Sequence, residues 1–452
     1  MNAPARPVAS HNIGQAVPAT RDRYRALFHA QQLPAGALGA MRSAALERFL
    51  ESGFPTQRDE GWKYTNLRRL EARSFGRTDA AASAQQAGAD ESLWIPLHAV
   101  RTVLLNGRWT PQLSGTLPQP PGVTVLALGQ WLEHAPEQAA EFLERHAPAS
   151  GAHRNAAFEH LNQAFADDGI VIELGNDTVC DLPLYLVHHW SVPALMSHPR
   201  IIVRAGRNSR CTVIEHYAGT AGEAFTNAVT TIEAESGAQL VHYRIQQEAL
   251  QAFHVGHTQV TLAADATYTQ YELAFGAALS RAATHVSLRG SGAAATLRGL
   301  LMPSGNQHLD SFTCIEHAAA HTTSRELYRS IADGRGRAAL RGKVIVHADA
   351  QHIDAQQSNR NLLLSPQAEI DTRPELEIYA NDVKCSHGAT TGQLDATALF
   401  YLRSRGFSEA QARATLIRAF AEGFVSQLQQ PAVAHFLEQQ LAQRFANLTE
   451  AP

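Results

Sequence analysis

From about residue 200 to residue 390 the chain repeats itself at an interval near thirty residues: a small or turn residue precedes a run of alternating side-chain character. The anchors are Gly206, Gly237, Asp265, Gly292, Gly336 and Gln367, and the runs behind them cover 211–216, 240–245, 268–275, 296–302, 340–346 and 376–380. The anchor intervals are 31, 28, 27, 44 and 31 residues, so the long one requires an insertion around the His-rich segment 308–321. A period of this size marks units that bury their apolar faces only against their neighbours. It predicts a mainly β protein with a right-handed β-helix core; a two-sheet sandwich is the alternative.

Helical patterns flank this core. Tyr24, Leu27 and Phe28, then Leu46, Phe49 and Leu50, recur at helical spacing until Gly53 and Pro55 stop the run. The segment 59–67 (DEGWKYTNL) reads as a surface turn anchored by Trp62 and Tyr64. Residues 100–195 mix strand-like runs with helical stretches at 130–145 and 154–166, and 169–174 opens the strand-rich region. Towards the C-terminus Asp395 caps one helix that Gly406 ends. Ser408 and Gln411 form a capping-box pattern for a second helix reaching about residue 428, and 432–445 gives a third. Leu416, Ala419, Phe420, Gly423 and Phe424 form one apolar stripe there, suited to the chain's own core or to a partner. The expected organisation is a disordered segment 1–20, a helical and α+β region 21–170, a β-helix core 171–394 and a helical region 395–452.

Lys and Arg total 38 against 42 acidic residues, so the chain lacks the basic field that nucleic-acid binding needs. Residues 1–20 carry no apolar leader and no run suits a membrane span, so the expectation is a cytoplasmic protein with neither nucleic acid nor membrane as partner. Cys180, Cys211, Cys314 and Cys385 form no CxxC pair and no disulfide framework.

The chemistry concentrates in 376–388 (LEIYANDVKCSHG). In an extended strand Cys385 and His387 share a face with Cα atoms roughly 6.6 Å apart. Thiolate and imidazole together suit iron, iron-sulfur clusters, zinc or copper. Read as one strand, 376–387 turns Leu376, Ile378 and Ala380 to the core and Cys385 and His387 outward with Glu375 and Glu377. Two ligands do not close a site that wants about four, so others come from elsewhere in the chain or from another subunit. A second group, Cys314, His317 and His321 with nearby His308, has half the spacing of a zinc site but no partner half, and reads as structural. The segment 336–343 misses the Walker A pattern by spacing and by Val344 after Lys343, so no nucleotide is expected on this chain.

Several stretches closely resemble the SufB/SufD family of iron-sulfur cluster assembly scaffolds, on the SufD side of it. They are SRELYRSI (324–331), GRGRAALRG (334–342), QSNRNLLLS (357–365), the run from Ala368 to Asp395 that contains KCSHG, and FYLRSRG (400–406), with DEGWKYTNL in looser support. The resemblance implies a β-helix flanked by helices that pairs with a SufB-like paralogue and docks a SufC-like ATPase through its C-terminal helices. It implies a non-catalytic scaffold, with a transient iron-sulfur cluster at the interface between the two β-helices. There His387, and with it Cys385, is a candidate cluster or metal contact. A homodimer is possible for the isolated chain. The competing readings are a homodimeric structural or metal-binding subunit, and a β-helix enzyme acting on polysaccharide with Asp371, Glu375 and Glu377 as carboxylates.

Overall fold

The computed structural model describes residues 18–446 except 32, 34–35, 78–87, 116, 149–155 and 167. Of the segment expected to be disordered, 1–17 lies outside the described residues, and 18–20 already belong to the helix Pro18–His29. The chain forms two compact units, one from residues up to Ser74 together with Pro136–Phe165, the other from Phe75–Ala135 together with residues from Ala166 onward.

In the first unit the helices Pro18–His29, Ala37–Ser52, Pro136–Arg145 and Ala157–Phe165 close on an aromatic core. Tyr24 meets Phe49, Phe54 and Phe165 edge-on, and Trp62 stacks on Phe158 with centroids 5.2 Å apart. Trp62 is therefore a core residue held in a turn, while Tyr64 is only half-buried. The helical pattern at 130–145 breaks into Leu128–His134 and Pro136–Arg145, because proline cannot donate within a helix and suits its first turn.

The second unit is a β-solenoid. Among the described residues its strands form an eleven-stranded and a ten-stranded sheet, and the two sheets advance alternately along the chain. The second sheet stacks Arg210–Gly219, Gln239–Gln247, Thr267–Ala274, Ala294–Leu301, Thr323–Ala332, Ile353–Leu363 and Val383–Gly392 in parallel. The first sheet ends in His308–His317, Arg337–Val346 and Glu369–Ile378. Inward side chains such as Ile232, Val260, Val286 and Ile315, facing Leu240, Tyr268 and Ala295, fill the space between the sheets.

One corner recurs on every coil. Asn208, Gly237, Asp265, Gly292, His321 and His352 all adopt positive φ, between 55° and 75°. Backbone bonds link this corner from coil to coil, as from Asn208 N to Ser236 O (3.0 Å) and from His321 N to Gln351 O (2.9 Å). This column corrects the expected insertion at 308–321. Gly237, Asp265 and Gly292 are true anchors, but the next one is His321, a residue that does not announce a left-handed turn. The apparent 44-residue interval to Gly336 steps from one sheet to the other. In register, Ala294 pairs with Thr323 and Thr323 with Asp354, so the period runs unbroken.

The C-terminal helices Ala396–Ser404, Glu409–Val425 and Pro431–Ala446 begin as expected: Asp395 Oδ1 accepts from Thr397 N (2.8 Å), and Ser408 with Gln411 closes a capping box. The buried face of Glu409–Val425 is Ala412, Ile417, Ala421, Phe424 and Val425, rotated from the expected stripe, with Ala419 exposed. The rotation follows from packing, since this face meets both the outside of the second sheet and the helix Pro431–Ala446 in one apolar cluster. Tyr271 Oη donates to Gln427 O (2.6 Å), and Tyr243 Oη accepts from Gln429 N and Gln430 N.

Part of the interior is polar. Thr230, Thr258, Thr284 and Thr313 stack in register on the first sheet. On the second sheet His242, Gln270, Leu297, Glu326, Gln357 and His387 form one inward column. Glu326, 6% exposed, accepts at Oε2 from Gln357 Nε2 (2.7 Å) and Thr313 Oγ1 (3.3 Å). Gly342 makes room for this pair, because a Cβ there would lie 2.5 Å from Gln357 Nε2 and 2.9 Å from Glu326 Oε2. Burial raises the Glu326 pKa from 4.5 to about 7, against the lowering effect of those two hydrogen bonds.

Two outcomes are expected. His321→Val should lower stability by about 1–2 kcal/mol relative to His321→Asn, since a β-branched residue tolerates a left-handed corner poorly and asparagine well; equal unfolding midpoints would contradict the corner's role. Because folded Glu326 keeps its proton to about pH 7 while the unfolded carboxyl loses it near 4.5, stability contributed by this group falls as pH rises through that window. In chelator-treated protein, Glu326→Gln should therefore gain thermal stability relative to the parent between about pH 5 and about pH 8, and a pH-independent offset would show the carboxyl is not held protonated.

Candidate functional site

The solenoid ends on one open coil, made of Glu369–Ile378 in the first sheet, a turn at 379–382, and Val383–Gly392 in the second. Each strand is the last of its sheet. A Cβ on Gly388 or Gly392 would meet no atom of the described residues within 4 Å. Ten residues of backbone on each strand thus present one unpaired side of a ladder, the feature by which sheets recruit further strands. Ion pairs tie the coil to the one beneath it, including Lys343 Nζ to Glu377 Oε1 (2.7 Å) and Arg337 Nη2 to Glu369 Oε2 (3.1 Å).

Cys385 and His387 both lie on Val383–Gly392, two residues apart and on one face, as their spacing predicts. That face is not the outer one. The expected outward direction came from counting alternation through 376–387 as a single strand, but the chain turns at 379–382 and changes sheets, so the alternation restarts. Leu376 packs inward as expected, whereas Ile378 is 40% exposed. Cys385 packs onto the interior cluster of Val344, Val346, Ala350, Ile353 and Ala355. His387 continues the inward column above Gln357 and Glu326, and it is exposed because it sits on the last coil. Glu375 and Glu377 belong to the other sheet of this coil.

The two candidate ligands therefore differ electrostatically. Burial raises the Cys385 thiol pKa above 9.0 and Asp354 adds to the rise, partly offset by a backbone hydrogen bond from Ala355. The thiol is protonated in the chain by itself, and a bound metal ion or a cationic neighbour would have to draw out the thiolate. His387 is open to solvent on the lip of the coil, beside a cleft that it lines with Gln356, Gln357, Ser386 and Glu326.

The second group does not converge. Cys314 and His317 stand on the same strand at odd separation and so on opposite faces. His317 points inward to Thr322 Oγ1 (2.7 Å) and Ser324 Oγ (2.9 Å), and burial raises the Cys314 pKa to about 12. His321 occupies the left-handed corner and stacks on His352 with centroids 4.8 Å apart, while His308 begins the strand at the far end from His317. Among the described residues no three His, Cys, Asp or Glu side chains group to hold a metal ion. Glu326 and Gln357, directly beneath His387, escaped sequence reading. Only the coil register relates them to it, and that register was lost where the corner glycine gives way to His321.

Exposed aromatics form another feature. The helix Ala396–Ser404 buries no residue, and Phe400 (73%), Tyr401 (57%) and Phe407 (41%) face solvent near a groove lined by Arg405, Gln411 and Arg418.

Two family models cover most of the chain: the SufBD core domain of the SUF system for FeS cluster assembly matches residues 189–420, and the SufBD protein N-terminal region matches 20–186. An iron-sulfur cluster assembly SufBD family protein of Synechocystis sp. is 32% identical over 414 residues, 89% of this chain and 87% of its own length. The iron-sulfur cluster assembly protein SufD of Escherichia coli is 33% identical over 381 residues, 83% of this chain and 86% of its own. The chloroplastic protein ABCI7 of Arabidopsis thaliana is 27% identical over 395 residues, 85% of this chain and 81% of its own. With the solenoid, the matched regions and these relatives in agreement, the chain belongs to the SufBD family of iron-sulfur cluster assembly proteins.

Proposed function

We propose that this chain is a SufD-like, non-catalytic scaffold subunit that pairs through its open coil with a SufB-like paralogue and carries part of a nascent cluster site at that interface. The observation behind this reading is that Val383–Gly392, one of the two edge strands, also carries the KCSHG thiol and imidazole. A partner strand laid on the edge would satisfy the ladder and bring its own ligands beside His387, and a cluster wants about four. In this reading the iron-sulfur cluster is cargo, held briefly by His387 and the partner, and Cys385 joins only once metal or partner charge lowers its pKa. The same edges would let an isolated chain pair with a second copy.

The exposed helix Ala396–Ser404 with Phe400, Tyr401 and Phe407 is the surface we assign to a SufC-like ATPase, since large aromatics left on one element are typical anchors of a partner. ATP hydrolysis then belongs to that partner. Its motion would reach the open coil through the C-terminal helices, which rest on the second sheet. No described helix is long and apolar enough to cross a membrane, and assembly in the cytoplasm fits this reading.

The test is co-expression with SufB-like and SufC-like chains of the same host, followed by anaerobic cluster reconstitution read by visible absorption. His387→Ala should leave the complex assembled while its chromophore falls several-fold, and Cys385→Ala should do less. An unchanged chromophore would remove the imidazole from the site; no complex would remove the partner assignment.

A further inference from the structure

One coil beneath the open end, a small cavity lies between the sheets, lined by Ser311, Thr313, Glu326, Tyr328, Gln357 and Asn359 among others. Its volume is about 30 Å³, room for a single ion or water molecule. Three side-chain oxygens in this lining, Glu326 Oε1, Gln357 Oε1 and Asn359 Oδ1, accept no hydrogen bond among the described residues. Their companion atoms are committed: Glu326 Oε2 accepts from Gln357 Nε2, and Asn359 Nδ2 donates to Thr372 Oγ1 (2.8 Å). Glu326 and Gln357 are 6% and 8% exposed, so neither open oxygen can turn to bulk water.

The hydroxyls around the cavity do not supply donors to these oxygens. Ser311 Oγ donates to Glu272 Oε2 (2.8 Å), Tyr328 Oη donates to the same oxygen (3.1 Å), and Thr313 Oγ1 donates to Glu326 Oε2 (3.3 Å). Arg341 reaches the lining, but its guanidinium lies over the Phe312 ring, 4.9 Å from the centroid. With Glu326 ionised, the cavity thus offers acceptors and one carboxylate without a cation of its own. Leaving buried acceptors unmet costs about 1–3 kcal/mol each, so the arrangement calls for a ligand that is all donor or all positive charge.

We infer that the open end of the solenoid holds a single oxygen-loving divalent cation of the Mn(II) or Fe(II) class, bound inside the cavity by Glu326, Gln357 and Asn359. Carboxylate and amide carbonyl oxygens suit such ions, and the set lacks the sulfur and imidazole donors that copper and zinc favour. His387 continues the inward column above Gln357 and Glu326 at the open rim, so it stands over the cavity and not in the inner ligand set. Gly342 keeps the neighbouring space clear, as any side chain there would displace the Glu326–Gln357 pair. The inference needs this chain alone and does not depend on the partner assignment.

Mn(II) is a redox-stable probe whose free form is read by electron paramagnetic resonance. Titrated into the purified, chelator-treated full-length chain, it should bind at one equivalent per chain. Glu326→Gln keeps the shape but removes the only carboxylate of the set and should weaken binding at least about tenfold. Asn359→Asp adds a charge to the same set and should tighten it, which guards against a Glu326 variant that simply folds poorly. His387→Ala should shift the affinity less than about twofold. Absence of a stoichiometric ion, binding indifferent to Glu326→Gln, or binding lost in His387→Ala would each overturn the inner site; the last would move the ion to the rim. Because no cluster or partner enters this measurement, its failure is separate from any failure of the scaffold reading.

Discussion

Everything in the second unit depends on a chain that must bend the same way on each coil. A parallel ladder has no hairpin to close it, so each strand must be carried round to the opposite sheet and back before it can pair with itself one coil on. The left-handed residues at Asn208, Gly237, Asp265, Gly292, His321 and His352 perform that bend. They stack because the backbone bonds of the corner stack with them. A single corner out of step would move every inward side chain of the next strand to the outer face. The register is therefore shared by the whole solenoid, and the interior columns are its consequence.

A stack of this kind satisfies its backbone everywhere except at its ends. The free end formed by Glu369–Ile378 and Val383–Gly392 leaves its ladders open and also carries Cys385 and His387. The coincidence has a physical basis: only on the last coil can an inward-facing residue also meet something outside the chain. His387 occupies the same column as Gln270 and Leu297, which are sealed in, and it differs from them only in having no coil above it. Cys385, two residues nearer the corner, is already covered by Ile353 and Ala355, which is why its thiol stays protonated.

This also explains what could be read from the sequence. The repeat was visible where the corner is glycine or aspartate, residue types that advertise positive φ, and it vanished at His321 and His352, which adopt it without advertising it. The helix caps at Asp395 and Ser408 were legible because capping needs particular side chains at particular spacings. The direction of Cys385 was not, because alternation carries information only within one strand and the turn at 379–382 interrupts it. Trp62 looked like a surface anchor among charges, but its partner Phe158 lies 96 residues away by sequence number, beyond the reach of any local pattern. Glu326 and Gln357 were hidden for the same reason: their relation to His387 exists only in the register.

The polar half of the interior is the feature that packing alone would not produce. Elsewhere the interior is apolar, as in the column of Val260, Val286 and Ile315 on the first sheet. Buried Glu326, by contrast, is held against its own preference for charge, and its pKa of about 7 records that burial is only partly offset by Gln357 and Thr313. Of the threonine stack only Thr313 reaches the carboxylate, and together with Gly342 it shapes the space around Glu326 and leaves Oε1 open. Such unrelieved polar groups are tolerated where they do something else. Here they sit immediately below the open coil, which places the interior's departure from an apolar core next to the thiol and imidazole of the rim.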